Sequence, residues 1–159
     1  MNKFLSILTK PIVIILVVLT ADQWLKIWVK TNMILQQKIP LFGDWFFIDF
    51  IENRGMAFGM EFGGDAGKLA LSLFRIVAGI GYYVFSLPKD TPTGLKISGA
   101  LVFAGAVGNI IDSVFYGVFF SDSFNQLATF LPHGGGYAPF LHGWVVDMFH
   151  FYAFWPHWI

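Results

Sequence analysis

Three long apolar stretches, each broken by an ionisable side chain, constrain this chain more than anything else in it. Pro11 to Val29 opens with Ile12-Val13-Ile14-Ile15-Leu16-Val17-Val18-Leu19 and then carries Asp22 and Lys26. Leu69 to Leu87 contains Arg75 and closes at Pro88. Ile97 to about Phe120 holds Asp112. A helix needs about 20 mostly apolar residues to cross the hydrocarbon core of a bilayer, and each stretch has that length. The whole chain is 56% apolar and 13% charged, against about 25% charged residues in a typical soluble domain. The composition excludes a disordered chain and an ordinary soluble enzyme. It fits an integral membrane protein, mainly α-helical, with three transmembrane helices in one domain covering residues 1–159.

Other features refine this. Trp24, Trp28, Tyr82, Tyr83 and Tyr116 fall toward span ends, where amphipathic rings favour the lipid–water interface. A cleaved leader is the competing reading of residues 1–21, with Lys3 and Lys10 before the apolar run and Ala21 as a cleavage position. The pattern continues past Asp22 into Trp24, Leu25, Ile27, Trp28 and Val29, which suits a span. Lys3 and Lys10 precede the first span, and Lys89 and Lys96 lie between the second and third. Placed on the cytoplasmic side, they leave segments of about 31–68 and 121–150 outside. The first of these also holds Lys38, Arg54 and Lys68.

The outer segments carry structure of their own. Phe46-Phe47-Ile48-Asp49-Phe50-Ile51 is aromatic and β-branched and predicts a strand, turned in by Gly43-Asp44. Gly55, Gly59, Gly63 and Gly64 punctuate the chain after this strand. The expected result is a small extracytoplasmic β-sheet lying on the membrane surface. Residues 121–143 form a second insert, with Pro132, Pro139 and Gly134-Gly135-Gly136. The aromatic density of 144–158 reads as packing at the membrane interface.

A charge at the bilayer centre costs about 2.5–3.5 kcal/mol on insertion scales, so the intramembrane ionisable residues face a bundle interior or a polar cavity. Asp22 and Lys26 are four apart and share a helical face; spacing alone fits either an interior pair or an interfacial one. Arg75 can pair with a carboxylate or reach the interface as an anchor. Gly105, Gly108, Asn109 and Asp112 recur at spacings of three and four, a pattern for close helix packing with an amide and a carboxylate on the same face. Zero net charge leaves no footprint for nucleic acid. The absence of cysteine removes disulfides, thiol nucleophiles and Cys-ligated zinc. His133, His142, His150 and His157 have no metal-ligand spacing. No metal and no cofactor is expected.

Four segments together resemble lipoprotein signal peptidase, or signal peptidase II. They are Thr20-Ala21-Asp22-Gln23-Trp24-Leu25-Lys26, Glu52-Asn53-Arg54-Gly55-Met56-Ala57-Phe58-Gly59, Gly105-Ala106-Val107-Gly108-Asn109-Ile110-Ile111-Asp112 and Gly143-Trp144-Val145-Val146-Asp147-Met148. The resemblance covers nearly the whole chain, and the E-N-x-G-x-A-F-G and G-N-x-I-D blocks are its specific parts. It implies an intramembrane aspartic endopeptidase of four transmembrane helices in the bacterial cytoplasmic (inner) membrane, with its active site toward the extracytoplasmic face. Such an enzyme cuts prolipoproteins just before the cysteine that carries diacylglycerol. Globomycin-type peptides inhibit the family. Asp147 falls in the V-V-D block as a catalytic carboxylate. Asp22, Lys26, Asn53, Gly55, Gly108, Asn109 and Asp112 fall on positions that bind substrate or inhibitor, or support the site.

The sequence departs from the family pattern in three places. Ser113 stands where an arginine is usual, so that side chain's polar contacts must come from elsewhere. About thirty residues separate Asp112 from the V-V-D block, where many members have a short link. The family's second catalytic block, F-N-x-A-D, and a fourth span would fall beyond Ile159. The 159 residues are therefore expected to be a C-terminally incomplete copy that does not hydrolyse prolipoproteins by itself, with Asp112 and, more weakly, Asp122 as substitutes on paper for the missing carboxylate. The competing functions are an inactive lipopeptide-binding relative and a small channel or transporter subunit with Asp22, Arg75 and Asp112 on an ion path. A channel has no reason to carry the E-N-x-G-x-A-F-G block.

Overall fold

A computed structural model describes residues 10–53, 75–76, 78–79, 82 and 90–152. Most of the second apolar stretch lies outside the described residues, and so do Gly55, Gly59, Gly63, Gly64 and His157. Helix α1 is Pro11–Asn32. Proline at its first position has its φ preset and lacks only an N–H that would go unpaired there. Its 22 residues rise about 33 Å, enough for a bilayer core. The helix runs unbroken through Ala21.

α1 is inside-out compared with a helix of a soluble protein. Its buried residues are Ile15, Lys26, Val29 and Lys30. Leu16, Val17 and Trp24 are exposed. Helix α2, Thr93–Phe119, is the other described helix long and apolar enough to cross a membrane. It begins four residues earlier than the apolar pattern predicts, directly after Pro92. Over Asp112–Tyr116 it widens to a π-helix, a local bulge that is common where side chains must be re-aimed at a site.

The helices meet along Ala100, Ala104, Gly108 and Asp112, all buried. This i, i+4 ridge slants around α2. Gly105 lies off it: the residue is exposed, and a Cβ added there meets nothing within 4 Å. The expectation that Gly105 shares the packed face is corrected accordingly. Gly108 is essential to the approach, because a Cβ there would run into the Asp22 carboxylate and sit 3.7 Å from Lys26 Nζ.

Three strands, β1 (Lys38–Phe42), β2 (Phe46–Asn53) and β3 (Val145–Phe151), form an antiparallel sheet in that order. The predicted aromatic strand is β2, two residues longer than expected. Gly43 makes the turn before it with φ +49°, a left-handed conformation that glycine adopts without penalty. β3, read from sequence only as interfacial packing, pairs with β2 from Phe46↔Phe151 to Asn53↔Val145, with a register shift between Ile48 and Ile51. Ile48, Phe50, Val146 and Met148 are buried in one apolar cluster with Val29, Met33, Tyr116 and Phe120. Asp147, Phe149 and Phe151 alternate to the exposed face. There Phe46 stacks on Phe151 at 4.4 Å.

The 121–143 insert is fastened to this core through a buried charge. Lys30 is fully buried and ion-paired with Glu52 at the end of β2. Ser123 of the insert accepts from Lys30 Nζ at 2.9 Å and donates to Glu52 Oε1 at 3.0 Å. The rings of Phe120 and Tyr137 lie 5.4 and 5.1 Å from the ammonium, a cation–π arrangement. The carboxylate, the hydroxyl and the rings together replace the water that Lys30 has lost.

Candidate active site

Polar side chains from α1 and α2 converge where the helices meet the sheet. Asp22, Lys26 and Lys30 succeed one another at helical spacing on α1. Lys26 Nζ lies 3.2 Å from Asp22 Oδ2 and 2.8 Å from Asp112 Oδ2, and donates to Asn109 Oδ1 at 3.0 Å. These three partners use all three protons of an ammonium. Lys26 and Asp112 are 3% and 0% exposed. Asp22 and Lys26 therefore form an interior pair and not an interfacial one.

Gln23 and Tyr116 complete the cluster, and the sequence marks neither as a site residue. The Gln23 amide donates to Asp22 Oδ2 at 3.1 Å, to Asp112 Oδ1 at 3.0 Å and to the Gly108 carbonyl at 3.3 Å. Its own oxygen accepts from Tyr116 OH at 3.1 Å. The only sequence signal for Gln23 is its place beside Asp22 in the first block. Asp112 thus has Gln23 on one oxygen and Lys26 on the other. The second oxygen also accepts from the backbone N–H of Val146, at 3.1 Å. That bond anchors β3 one residue before Asp147. A Cβ on Gly143 would strike the Asp112 carbonyl, and Gly143 N–H donates to Ser113 O at 2.8 Å. The chain entering β3 is therefore held against the π-helical turn.

Asp147 sits opposite Ile51 on the exposed face of the sheet. Asn53, diagonal to it on β2, donates a side-chain hydrogen bond to its carboxylate. The protein packed around the carboxyl removes water and raises its pKa above the ordinary carboxylate value. The Asn53 hydrogen bond and the charges of Lys26 and Arg75 pull the other way without cancelling this.

Of the residues expected at the site, Asp22, Lys26, Gly108, Asn109 and Asp112 come together, and Asn53 joins Asp147. Gly55 lies outside the described residues. Asp122 accepts from the Phe124 N–H at 3.0 Å inside the insert, a local turn. His150 is bonded to the buried Asp49 at 3.1 Å, beside Lys38. No group of three or more His, Cys, Asp or Glu able to hold a metal occurs among the described residues. Arg75 donates to Ser113 Oγ at 3.3 Å. It lines, with Asn109, Tyr82 and Phe103, a cavity of about 320 Å³ along α2.

Comparison with known proteins places this arrangement in context. Residues 14–159 match the family model described as signal peptidase (SPase) II. A lipoprotein signal peptidase of Porphyromonas gingivalis is 48% identical over 159 residues, covering 95% of this chain and 68% of that protein. One of Amoebophilus asiaticus is 37% identical over 141 residues, covering 85% and 56%. Two solved structures titled as bacterial membrane enzymes share the fold. One has a TM-score of 0.62 at 24% identity, covering 94% of this chain and 78% of that one. The other has a TM-score of 0.55 at 22% identity, covering 91% and 71%.

Proposed function

The chain belongs to the signal peptidase II family, and from that premise we propose that it is an aspartic endopeptidase acting at the extracytoplasmic face of a bacterial inner membrane. Its substrates are prolipoproteins, whose signal peptides it removes by cutting before the diacylglyceryl-modified cysteine. The observation that carries the catalytic reading is Asp147 itself. It is an open carboxylate with a raised pKa, hydrogen-bonded by Asn53 and standing on the strand that Asp112 anchors.

Peptide hydrolysis without a covalent intermediate needs a base to activate water and an acid to protonate the carbonyl or the leaving amine. Two neighbouring carboxylates do both by sharing one proton, since they cannot both ionise comfortably. Asp147 supplies one member. Its raised pKa suits it to hold a proton at a pH where a solvated aspartate would not.

The second member is not Asp22, Asp112 or Asp122. Asp22 and Asp112 are committed to Lys26 and Gln23, and Asp122 to its own turn. Asp112 is better suited to be the organiser, joining α1, α2 and β3 through Gln23, Lys26 and the Val146 N–H. The partner carboxylate belongs to a part of the enzyme outside the described residues, and the apolar stretch 69–87 is the proposed third crossing of the membrane. Asn53 and Asn109 are the amides placed to hold a peptide backbone or a globomycin-type inhibitor; because Lys26 occupies the Asn109 oxygen, Asn109 would do so through its N–H donors. Aromatic side chains on the exposed face of the sheet hold this machinery next to lipid. A channel reading gains nothing here, because Lys26, Asp22 and Asp112 pair with one another in a packed interface instead of lining a path.

The test is mass spectrometry of products from a synthetic diacylglyceryl prolipopeptide incubated with the protein from its full reading frame in detergent. The expected new N-terminus is the lipid-modified cysteine. Cleavage elsewhere, or equal cleavage of the peptide without lipid, would contradict the assignment.

A further inference from the structure

Among the described residues Lys26 is the larger of the two positive charges that act on Asp147, but it is shared. Its three protons go to Asp22, Asn109 and Asp112. Two carboxylates on one ammonium leave that cluster net negative, and Asp147 adds a further negative charge nearby. Lys30 offers no relief, because Glu52 neutralises it. In a site beside the membrane, an excess of negative charge would be costly. A second cation would offset part of that charge, and the sequence places one, Arg75, in the second apolar stretch with no function yet attached to it.

Arg75 meets α2 at the residue directly after Asp112, donating to Ser113 Oγ at 3.3 Å. Its charge interacts with both Asp112 and Asp147. It also lines the same cavity as Asn109. A serine hydroxyl is a suitable anchor for this purpose. It fixes the guanidinium by a neutral hydrogen bond, a contact that does not itself offset the positive charge.

We propose that Arg75 is a positioning residue of the catalytic site, anchored on Ser113 so that its positive charge acts on Asp147. The inference rests on the reading of Asp147 as catalytic. Its consequence is a pH effect. The charged groups about Asp147 among the described residues are Lys26 from α1, Arg75, and Asp112 from α2, with Asp22 tied to Lys26. Removing the arginine removes one of the two positive charges that, among the described residues, favour ionised Asp147. The working pair then ionises at higher pH.

The measurement is the pH profile of kcat/KM for a diacylglyceryl prolipopeptide, made with the protein from its full reading frame. Arg75→Gln should move the acidic limb upward by about half a unit or more and lower kcat more than it raises KM. Arg75→Lys, which keeps the charge, should hold the limb near its original place. Because side chains 75 and 113 touch, the exchange Arg75→Ser with Ser113→Arg returns a guanidinium to the same spot from the other helix. It should recover much of the lost kcat. An unmoved acidic limb in Arg75→Gln overturns the proposal. So does a loss of activity that tracks thermal stability alone and is not recovered by the exchange. Asp147→Asn is assayed in parallel: if that variant turns over normally, the catalytic reading fails, a result distinct from a failure at Arg75.

Discussion

Replacing Lys26 by methionine tests the core of the helix pair. Methionine matches the lysine stem in shape and keeps its packing, so the change removes mainly the ammonium. Asp112 loses a partner at 2.8 Å, Asp22 one at 3.2 Å and Asn109 one at 3.0 Å. With Asp112 fully buried, a negative charge is left without its cation in a place water does not reach. Breaking a buried pair on one side costs about 3–5 kcal/mol. For a chain of this size, that corresponds to a fall in Tm of roughly 6–20 °C. Tryptophan fluorescence during thermal unfolding in detergent measures it, with six tryptophans present in the chain. Adding Asp112→Asn should restore part of the loss, since the double variant no longer buries an unpaired charge. A Lys26→Met protein within about 1 °C of the wild type, or a double variant that simply sums two losses, would refute the idea that Lys26 is the hub of the site.

The same geometry yields three further expected outcomes. Gly108→Ala should cost about 1–3 kcal/mol by forcing the Asp22 carboxylate aside, whereas Gly105→Ala, in open space, should be neutral or stabilise by up to about 1 kcal/mol; both are read by thermal unfolding. Because the pKa of Asp147 is raised in the folded protein, ionising it penalises the fold at neutral pH, and that penalty disappears as the pH falls below the unfolded value of about 4. Asp147→Asn should therefore be more stable than the wild type at pH 7 and lose that advantage near pH 4 in matched denaturation curves; an advantage unchanged with pH would contradict the sign. A cysteine placed at Asp44, in the exposed polar turn between β1 and β2, should react with an impermeant thiol reagent from outside intact spheroplasts, and labelling only after the membrane is opened would invert the topology.

Local pattern carried much of the structure. Pro11 announced α1, and the four-residue spacing of Asp22 and Lys26 placed them on one face. The β-branched and aromatic run from Phe46 predicted β2. The features hidden from a linear reading are mostly non-local. β3 pairs with a strand about a hundred positions away, a partner that no local pattern names. Gly105 and Gly108 look equivalent by spacing, and only the slant of the contact ridge separates them. Gln23 and Tyr116 became visible as parts of the site once the helices were side by side. Lys30 reads as an ordinary lysine at a span end, because neither Glu52 nor Ser123 lies near it in sequence. Ser113, notable as a departure from the family pattern, acquires meaning only from Arg75 on another segment.

The catalytic assignment of Asp147 is tested most directly by the rate at which an Asp147→Asn variant, produced from the full reading frame, cleaves a diacylglyceryl prolipopeptide. Asparagine keeps the shape and a hydrogen-bond link to Asn53 but cannot act as a base or share a proton. The expected result is a folded protein that still binds a globomycin-type inhibitor and shows no detectable cleavage. Turnover within a few-fold of the wild type would mean that Asp147 is not one of the reacting carboxylates.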